Sequence, residues 1–531
     1  MSLLIKNSII AVVRLALPGS SILVGLGLLL KVLPALAQVN YVSSQLALDS
    51  NFREILHEDM NGDGRVDLVT SAWTRSGGRE LLIYYQQMDG RFAQLPQRIE
   101  VKTEIIALGF ADIRPQPGTE ILVLTGTAVF SLSAAIEGYV GNLRPLLEWQ
   151  LIADVPDLQD VEFFHGVADI NGDGYPDLLL PGPEGFAYFA GGPDESFTLV
   201  QQFSTVDPQA RPAPPNSRRR RLFSNLEINQ EQGIALEVAA NRPTPFENFV
   251  EPWQAQASTD ISLFHSETWL PSAVLAQLDD DGRLDLAYLN EDDSGQGRFN
   301  ILLQGEDGRF PAAPNWQGAL DARGSIRLRD VDGDGRTDLL AFRGNGDERS
   351  VMFYVNQGGR FDLAQPTQVL RFSGYDVEAE LIDIDGRGKP ALAVSYYTVP
   401  VAGAIRNPKV VRTQLLYGSQ GTEGSQVFSR RPASRLDEDF SVSNVRALAG
   451  QMSLRFDIDN DGVKDALYIT GDGALAAKKI NADLSLATEP FWHHVPERSI
   501  VGFDVVSLND DGMADLILRH SNSISLLVSR P

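Results

Sequence analysis

Acidic side chains recur along this chain at alternate positions of short stretches punctuated by glycine. The stretches read Asp59-Met-Asn-Gly-Asp-Gly-Arg-Val-Asp67, Asp169-Ile-Asn-Gly-Asp-Gly-Tyr-Pro-Asp177, Gln277-Leu-Asp-Asp-Asp-Gly-Arg-Leu-Asp285 and Asp330-Val-Asp-Gly-Asp-Gly-Arg-Thr-Asp338. Three more follow: Asp383-Ile-Asp-Gly-Arg-Gly-Lys-Pro-Ala391, Asp457-Ile-Asp-Asn-Asp-Gly-Val-Lys-Asp465 and Ser507-Leu-Asn-Asp-Asp-Gly-Met-Ala-Asp515. A faint copy stands at Asp112-Ile-Arg-Pro-Gln-Pro-Gly-Thr-Glu120. Oxygens carried on alternate residues of a tight turn converge on one point, and an all-oxygen set suits a hard divalent cation, calcium above all. Without a cation, several anions held so close repel one another. A metal bound this way pins a turn; it does not by itself imply a reaction.

Other chemistry-bearing residues are sparse. The histidines are His57, His165, His265, His493, His494 and His520. His57 and His165 lie just before acidic stretches, where packing on a strand is the expected role. His493 and His494 follow Trp492, but adjacent strand residues point to opposite faces, so the pair is a poor chelate. The sequence has no Gly-x-Ser-x-Gly, phosphate-loop or His-Glu-x-x-His motif. The acidic stretches account for most close carboxylate pairs, so no glycosidase-type pair stands out. Trp73, Trp149, Trp253, Trp269, Trp316 and Trp492 could stack on sugar rings, or fill a core.

The elements that position the acidic stretches follow from their spacing. They begin at residues 59, 112, 169, 277, 330, 383, 457 and 507. A recurrence of about 50 residues matches a four-stranded propeller blade. One interval is doubled, so a worn unit is expected near Asn225 to Glu237. A second mark keeps the same phase. Apolar runs such as Leu81–Tyr85, Phe299–Leu303 and Val351–Val355 lead through a polar turn to Gly90-Arg-Phe92, Gly308-Arg-Phe310 and Gly359-Arg-Phe361. These read as strands joined by hairpins. The expected fold is all-β: a propeller of eight four-stranded blades, within a range of seven to nine. Its last blade takes an outer strand from Val42–Leu48, which leaves no long free edge. An EF-hand would need a Glu at loop position 12 and flanking helices, whereas Thr70, Leu180, Ala341 and Tyr468 stand there in strand-like runs.

The loop, its period and the blade pattern resemble the FG-GAP/VCBS repeats of integrin-α-type propellers, over nearly all of the chain after residue 38. In that family, loop positions 1, 3, 5 and 9 bind calcium through side chains and position 7 through its carbonyl. The resemblance therefore implies Asp59, Asn61, Asp63 and Asp67 with the carbonyl of Arg65. It also implies Asp169, Asn171, Asp173 and Asp177 with Tyr175; Asp330, Asp332, Asp334 and Asp338 with Arg336; and Asp457, Asp459, Asp461 and Asp465 with Val463. Two loops lack the first acid and should bind more weakly: Asp279, Asp281 and Asp285 after Gln277, and Asn509, Asp511 and Asp515 after Ser507. In the loop at Asp383 and Asp385, Arg387 is expected to substitute for the metal. The Asp112 loop, with Arg114, is expected to be empty. That makes about four to six structural calcium sites.

The net charge is −25, part of it cation-binding capacity, and the acidity argues against a nucleic acid partner. Lys6, Arg14, the apolar run Ile22–Leu30 and Pro34-Ala-Leu-Ala37 read as an export signal over residues 1–37, with an uncleaved anchor as the alternative. There is no Cys, so calcium would take the stapling role of disulfides in an exported protein. Insertions are expected near 205–221, ending in Arg218-Arg-Arg-Arg221, and near 399–435. The leading expectation is a secreted, periplasmic or cell-surface interaction module for a polysaccharide or cell-surface protein. An enzyme acting on polysaccharide or lipid, on a propeller scaffold, and a structural envelope component are the alternatives.

Overall fold

The structure is a computed structural model. It describes residues 40–48, 54–73, 78–151, 160–182, 185–204, 226–229, 233–239, 272–291, 296–321, 325–344, 348–398, 409–420, 426–441, 452–470, 472–509 and 511–530. The expected export signal, the Arg218–Arg221 run, His265, Trp253 and Trp269 lie outside them.

Short β-branched and aromatic runs between glycine-rich turns give strands, and the described residues contain no helix. The strands make eight sheets in a propeller ring. Blade 1 is Ile55–Glu58, Asp67–Trp73, Arg79–Tyr84 and Gln97–Val101. Blade 2 is Ile105–Ala111, Glu120–Thr125, Ala128–Ser133 and Arg144–Glu148, with Glu162–Phe163 added in parallel to its first strand. Blade 3 is Val167–Ala168, Asp177–Gly182, Gly185–Gly191 and Phe197–Ser204. Blade 4 is Ser272–Ala276, Asp285–Glu291, Gln296–Leu302 and Trp316–Asp321. Blade 5 is Ser325–Arg329, Asp338–Arg343, Glu348–Tyr354 and Gln368–Ser373. Blade 6 is Tyr375–Ile382, Ala391–Thr398, Lys409–Tyr417 and Ser434–Ser441. Blade 7 is Asp465–Ile469, Leu475–Lys479 and Trp492–His494, its first strand reduced to a bridge between Ser453 and Leu467. Blade 8 is Gly502–Val506, Asp515–Arg519, Ser523–Arg530 and the N-terminal strand Asn40–Ala47.

Two expectations change. The stretch near Asn225 to Glu237 is not a ninth blade. It gives a hairpin, Leu226–Asn229 with Gly233–Ala239, whose second strand pairs with Ser325–Arg329 of blade 5. The lengthened stretch near 399–435 is not wholly an insertion, because Lys409–Tyr417 is the third strand of blade 6.

The second strands are buried almost throughout, as in Asp67–Trp73 and Asp177–Gly182, because adjacent blades cover both of their faces. Aromatic rings fill the wedges between blades. Phe310, from Gly308-Arg-Phe310, meets Tyr188 and Phe203 of blade 3 edge to face. Phe361 meets Phe299 and Trp316 of blade 4. Trp149 of blade 2 packs on Phe189 of blade 3, with its indole N–H on the Pro181 carbonyl at 3.0 Å. Trp149 and Trp316 therefore serve the core.

Ring closure works as the sequence predicts. Asn40–Ala47 runs antiparallel to Ser523–Arg530, with Leu46 opposite Ile524. Leu46 is fully buried and belongs to one cluster with Leu526, Ile55 and Phe92, so the closing strand joins blade 8 to blade 1. Leu46→Ala should cost about 2–5 kcal/mol of stability, read as a lower urea midpoint. Deleting residues 40–48 should also expose the Ser523–Arg530 edge and raise light scattering through self-association.

Candidate metal sites in the acidic loops

Each acidic stretch joins the first strand of its blade to the second. The ninth loop residue opens the second strand: Asp67, Glu120, Asp177, Asp285, Asp338, Asp465 and Asp515, with Ala391 in blade 6. All seven acids are buried. Burial requires partners, and the backbone supplies them. One oxygen accepts the N–H of loop position 2, as in Met60 to Asp67 (3.1 Å), Ile170 to Asp177 (2.8 Å), Leu278 to Asp285 (2.9 Å) and Val331 to Asp338 (2.8 Å). The other accepts an N–H from the end of the third strand or just beyond it: Gln86 to Asp67 (2.9 Å), Gly191 to Asp177 (2.8 Å), Gln304 to Asp285 (2.8 Å), Asn356 to Asp338 (2.7 Å) and Ser529 to Asp515 (2.6 Å). The ninth-position acid thus ties two turns of its blade together.

The first-position aspartate shapes the loop itself. Asp59 accepts the N–H groups of Gly62 and Gly64, both at 2.8 Å, and Asp169 and Asp330 repeat this with Gly172 and Gly174 and with Gly333 and Gly335. Gly333 has φ +79, and a Cβ there would lie 2.1 Å from the Gly388 carbonyl of the next loop. Glycine is needed for both reasons. Neighbouring loops also bond directly: Thr119 N–H donates to the Asp59 carbonyl at 2.8 Å, and Thr337 N–H to the Gln277 carbonyl at 2.7 Å.

Loop side chains converge as expected in part. Asp330, Asp332 and Asp338 bring carboxylate oxygens within 4.8 Å of one another, as do Asp457, Asp459 and Asp465. In the Asp59 and Asp169 loops the third position carries an amide, Asn61 or Asn171, whose oxygen accepts the N–H of Asp63 or Asp173 at 3.0 and 2.8 Å. Such all-oxygen sets fit a hard divalent cation. The fifth position is drawn aside in three loops, where Arg65, Arg283 and Arg336 at position 7 pair with Asp63, Asp281 and Asp334. In the two loops expected to be weaker, Asp279 accepts Asp281 N–H at 3.0 Å, and Asn509 turns its amide to the Ser529 carbonyl at 3.0 Å.

The two arginine-bearing loops differ from each other. Arg387 is exposed and pairs with Asp385 of its own loop at 3.3 Å, so it lies along the loop surface. Arg114 is buried and bonds Ser131 and Asn142, the latter at 3.0 Å through its side chain. Its guanidinium anchors the turn after the third strand of blade 2, a task that backbone N–H donors perform elsewhere. His57 is half-buried on the first strand of blade 1, and desolvation pushes its pKa down. His165 lies 3.4 Å from Glu54. The ring of His494 stacks on Trp492, while the neighbouring His493 is exposed. The structure does not bring the histidines of this group together.

The side chains of Gln86, Gln304 and Asn356 were not singled out by the sequence reading. Each donates to the position-2 carbonyl of the preceding blade: Leu508 at 3.0 Å, Ile170 at 3.1 Å and Leu278 at 2.8 Å. Their signal was available, since an amide follows each third strand just before the Gly-x-Phe turn.

These loops and blades define a β-propeller built from repeated acidic turns. Residues 277–341 and 330–394 match the FG-GAP-like repeat, so the chain carries FG-GAP-like repeats within a β-propeller. No curated protein matches the chain. Among solved structures, one of an Agrocybe aegerita lectin, described as recognising non-reducing terminal N-acetylglucosamine, is 14% identical with a TM-score of 0.26, covering 63% of this chain and 90% of that one. The WD40 domain of SCAP from fission yeast is 10% identical with a TM-score of 0.32, covering 92% of this chain and 98% of that one.

Two predictions follow from the buried acids. Asp338→Ala leaves the N–H groups of Val331 and Asn356 without their acceptor, at about 1–3 kcal/mol each. The loss should appear in urea melts with or without divalent cation. The second concerns pH. Burial pushes Asp338 up to about 8, and Asp67, Asp285 and Asp465 up to about 6, against the pull of their N–H partners. An unfolded aspartate titrates near 3.9, so between these values the folded chain holds more protons than the unfolded one. Stability from these groups is complete below about pH 4 and is lost as pH rises through 6 to 8. Metal-free protein should therefore show a lower urea midpoint at about pH 8 than at about pH 5.

Proposed function

We propose that this protein is an exported, calcium-stabilised β-propeller that binds an extracellular polysaccharide or cell-surface protein, and that it works in a secreted, periplasmic or cell-surface setting. One observation carries the calcium reading. The same oxygen-rich loop recurs around the ring, with its ninth-position acid buried and its other acids crowded against it. The FG-GAP-like propeller is an interaction-module scaffold, and repeated turns on a rigid ring offer a broad surface for an extended ligand.

The complete loops of blades 1, 3 and 5 hold the ion best in this reading. They use Asp59, Asn61, Asp63 and Asp67; Asp169, Asn171, Asp173 and Asp177; and Asp330, Asp332, Asp334 and Asp338. The carbonyls of Arg65, Tyr175 and Arg336 complete the sets. Blades 4 and 8 bind more weakly, without a first acid. Calcium neutralises each cluster and fixes the turn that interlocks with the next blade. Because the ion binds only the folded loop, it stabilises the fold by mass action.

Asp334→Ala should lower the melting temperature in millimolar calcium. In EDTA the loss should shrink to that of the pair with Arg336, about 0–1 kcal/mol. Equal losses in the two media would remove the metal assignment. The ligand is tested by incubating the protein with a polysaccharide panel, in calcium and in EDTA. Calcium-dependent retention without chain shortening is the expected result, and shortening would replace a binding module with an enzyme.

A further inference from the structure

We infer that the acidic loop of blade 7 carries its own cation, the ammonium of Lys479, in place of a metal ion. This rests on the calcium reading above only for what the other loops bind. The loop Asp457-Ile-Asp459-Asn-Asp461-Gly-Val-Lys-Asp465 has acids at positions 1, 3, 5 and 9, and by sequence alone it is as complete as that of blade 5. Its surroundings differ at one place. Lys479 ends the third strand of the blade and stands directly opposite Asp465 in the antiparallel ladder. From there Nζ pairs closely with Asp459, lies 2.8 Å from Asp461 and 3.2 Å from Asp465, and sits 4.5 Å from the centre of the Phe491 ring.

The equivalent position in the other blades with a ninth-position acid is not basic. Ser133 pairs with Glu120, and the registers continued by one residue bring Tyr85 to Asp67, Ala190 to Asp177, Leu303 to Asp285, Val355 to Asp338 and Val528 to Asp515. Blade 7 also departs in its backbone. The Oδ1 oxygen that takes an N–H from the end of the third strand, or just beyond it, in blades 1, 3, 4, 5 and 8 faces the Lys479 ammonium in blade 7. The ammonium thus stands on the side of Asp465 where a backbone donor stands in the other blades, and it supplies positive charge among the acids. A divalent ion and an ammonium group cannot share that space, because like charges at such separations repel strongly. The mismatch between a complete acidic motif and a filled centre makes this loop calcium-independent.

The test counts calcium bound per full-length chain, by equilibrium dialysis with elemental analysis, for the unsubstituted protein, Lys479→Met and Lys479→Met/Asp457→Asn. The expected result is one added ion in Lys479→Met and its loss in the double variant. Asp457→Asn alone should leave the count unchanged, and loss of an ion there overturns the inference even if Lys479→Met does not fold. Melting in EDTA separates the two readings. If no variant binds calcium, the calcium reading fails. The built-in cation then stands if Lys479→Met melts lower than the unsubstituted protein in EDTA, and falls if the two melt together.

Discussion

A buried carboxylate at the start of the second strand, present in every blade but blade 6, is the constraint from which the rest of the structure follows. Removing such a group from water is costly unless its oxygens are hydrogen-bonded. In blade 5, Asp338 accepts Val331 N–H from its own loop and Asn356 N–H from beyond the third strand. The acid therefore dictates where both turns lie. Once they are placed, the Asn356 side chain reaches Leu278 of blade 4, and Phe361 enters the wedge beside Phe299 and Trp316. One desolvated acid sets the position of the staple that joins its blade to the one before it.

The same burial creates the electrostatic difficulty of the fold. Asp330 and Asp332 raise the pKa of Asp338 further, beyond the effect of desolvation. The blades resolve this in different ways. Blade 6 places Ala391 where the acid would stand, and so avoids it. Blade 2 lengthens the acid to Glu120 and buries Arg114 beside it, the arginine also clasping Asn142. Blades 1, 4 and 5 turn an arginine from position 7 onto the fifth-position acid, which leaves positions 1, 3 and 9 without a basic side chain of the loop. The loops of blades 3 and 8 contain no basic residue, so in blades 1, 3, 4, 5 and 8 no cation of the loop itself stands among positions 1, 3 and 9.

Much of this was legible in the sequence because the repeat fixes both period and phase. The acidic loops, the buried phenylalanines of Gly-x-Phe and the closing strand at Asn40–Ala47 all depend on local pattern, and local pattern is what sequence carries. What was not legible depends on pairing between distant segments. Lys479 is fourteen residues after Asp465 and looks like an ordinary surface cation until the ladder sets it opposite the acid. Arg387 occupies position 5 of its loop, and its exposed guanidinium pairs with the position-3 acid Asp385. The hairpin at Leu226–Asn229 and Gly233–Ala239 filled a doubled interval that periodicity alone assigned to a blade.

If calcium binds as proposed, loop completeness read from the motif alone does not decide which loops take the ion. The blade 5 and blade 7 loops share their acids, and each brings three carboxylates within 4.8 Å. They differ in the residue that the neighbouring strand presents, Val355 in one and Lys479 in the other. A valine adds no charge, so in blade 5 the neighbouring strand brings no cation to Asp330, Asp332 and Asp338. A lysine at the same register lowers the repulsion among the acids of blade 7 permanently, whatever the calcium concentration outside. If calcium fills the other loops as proposed, a single ladder position decides whether a blade depends on its medium.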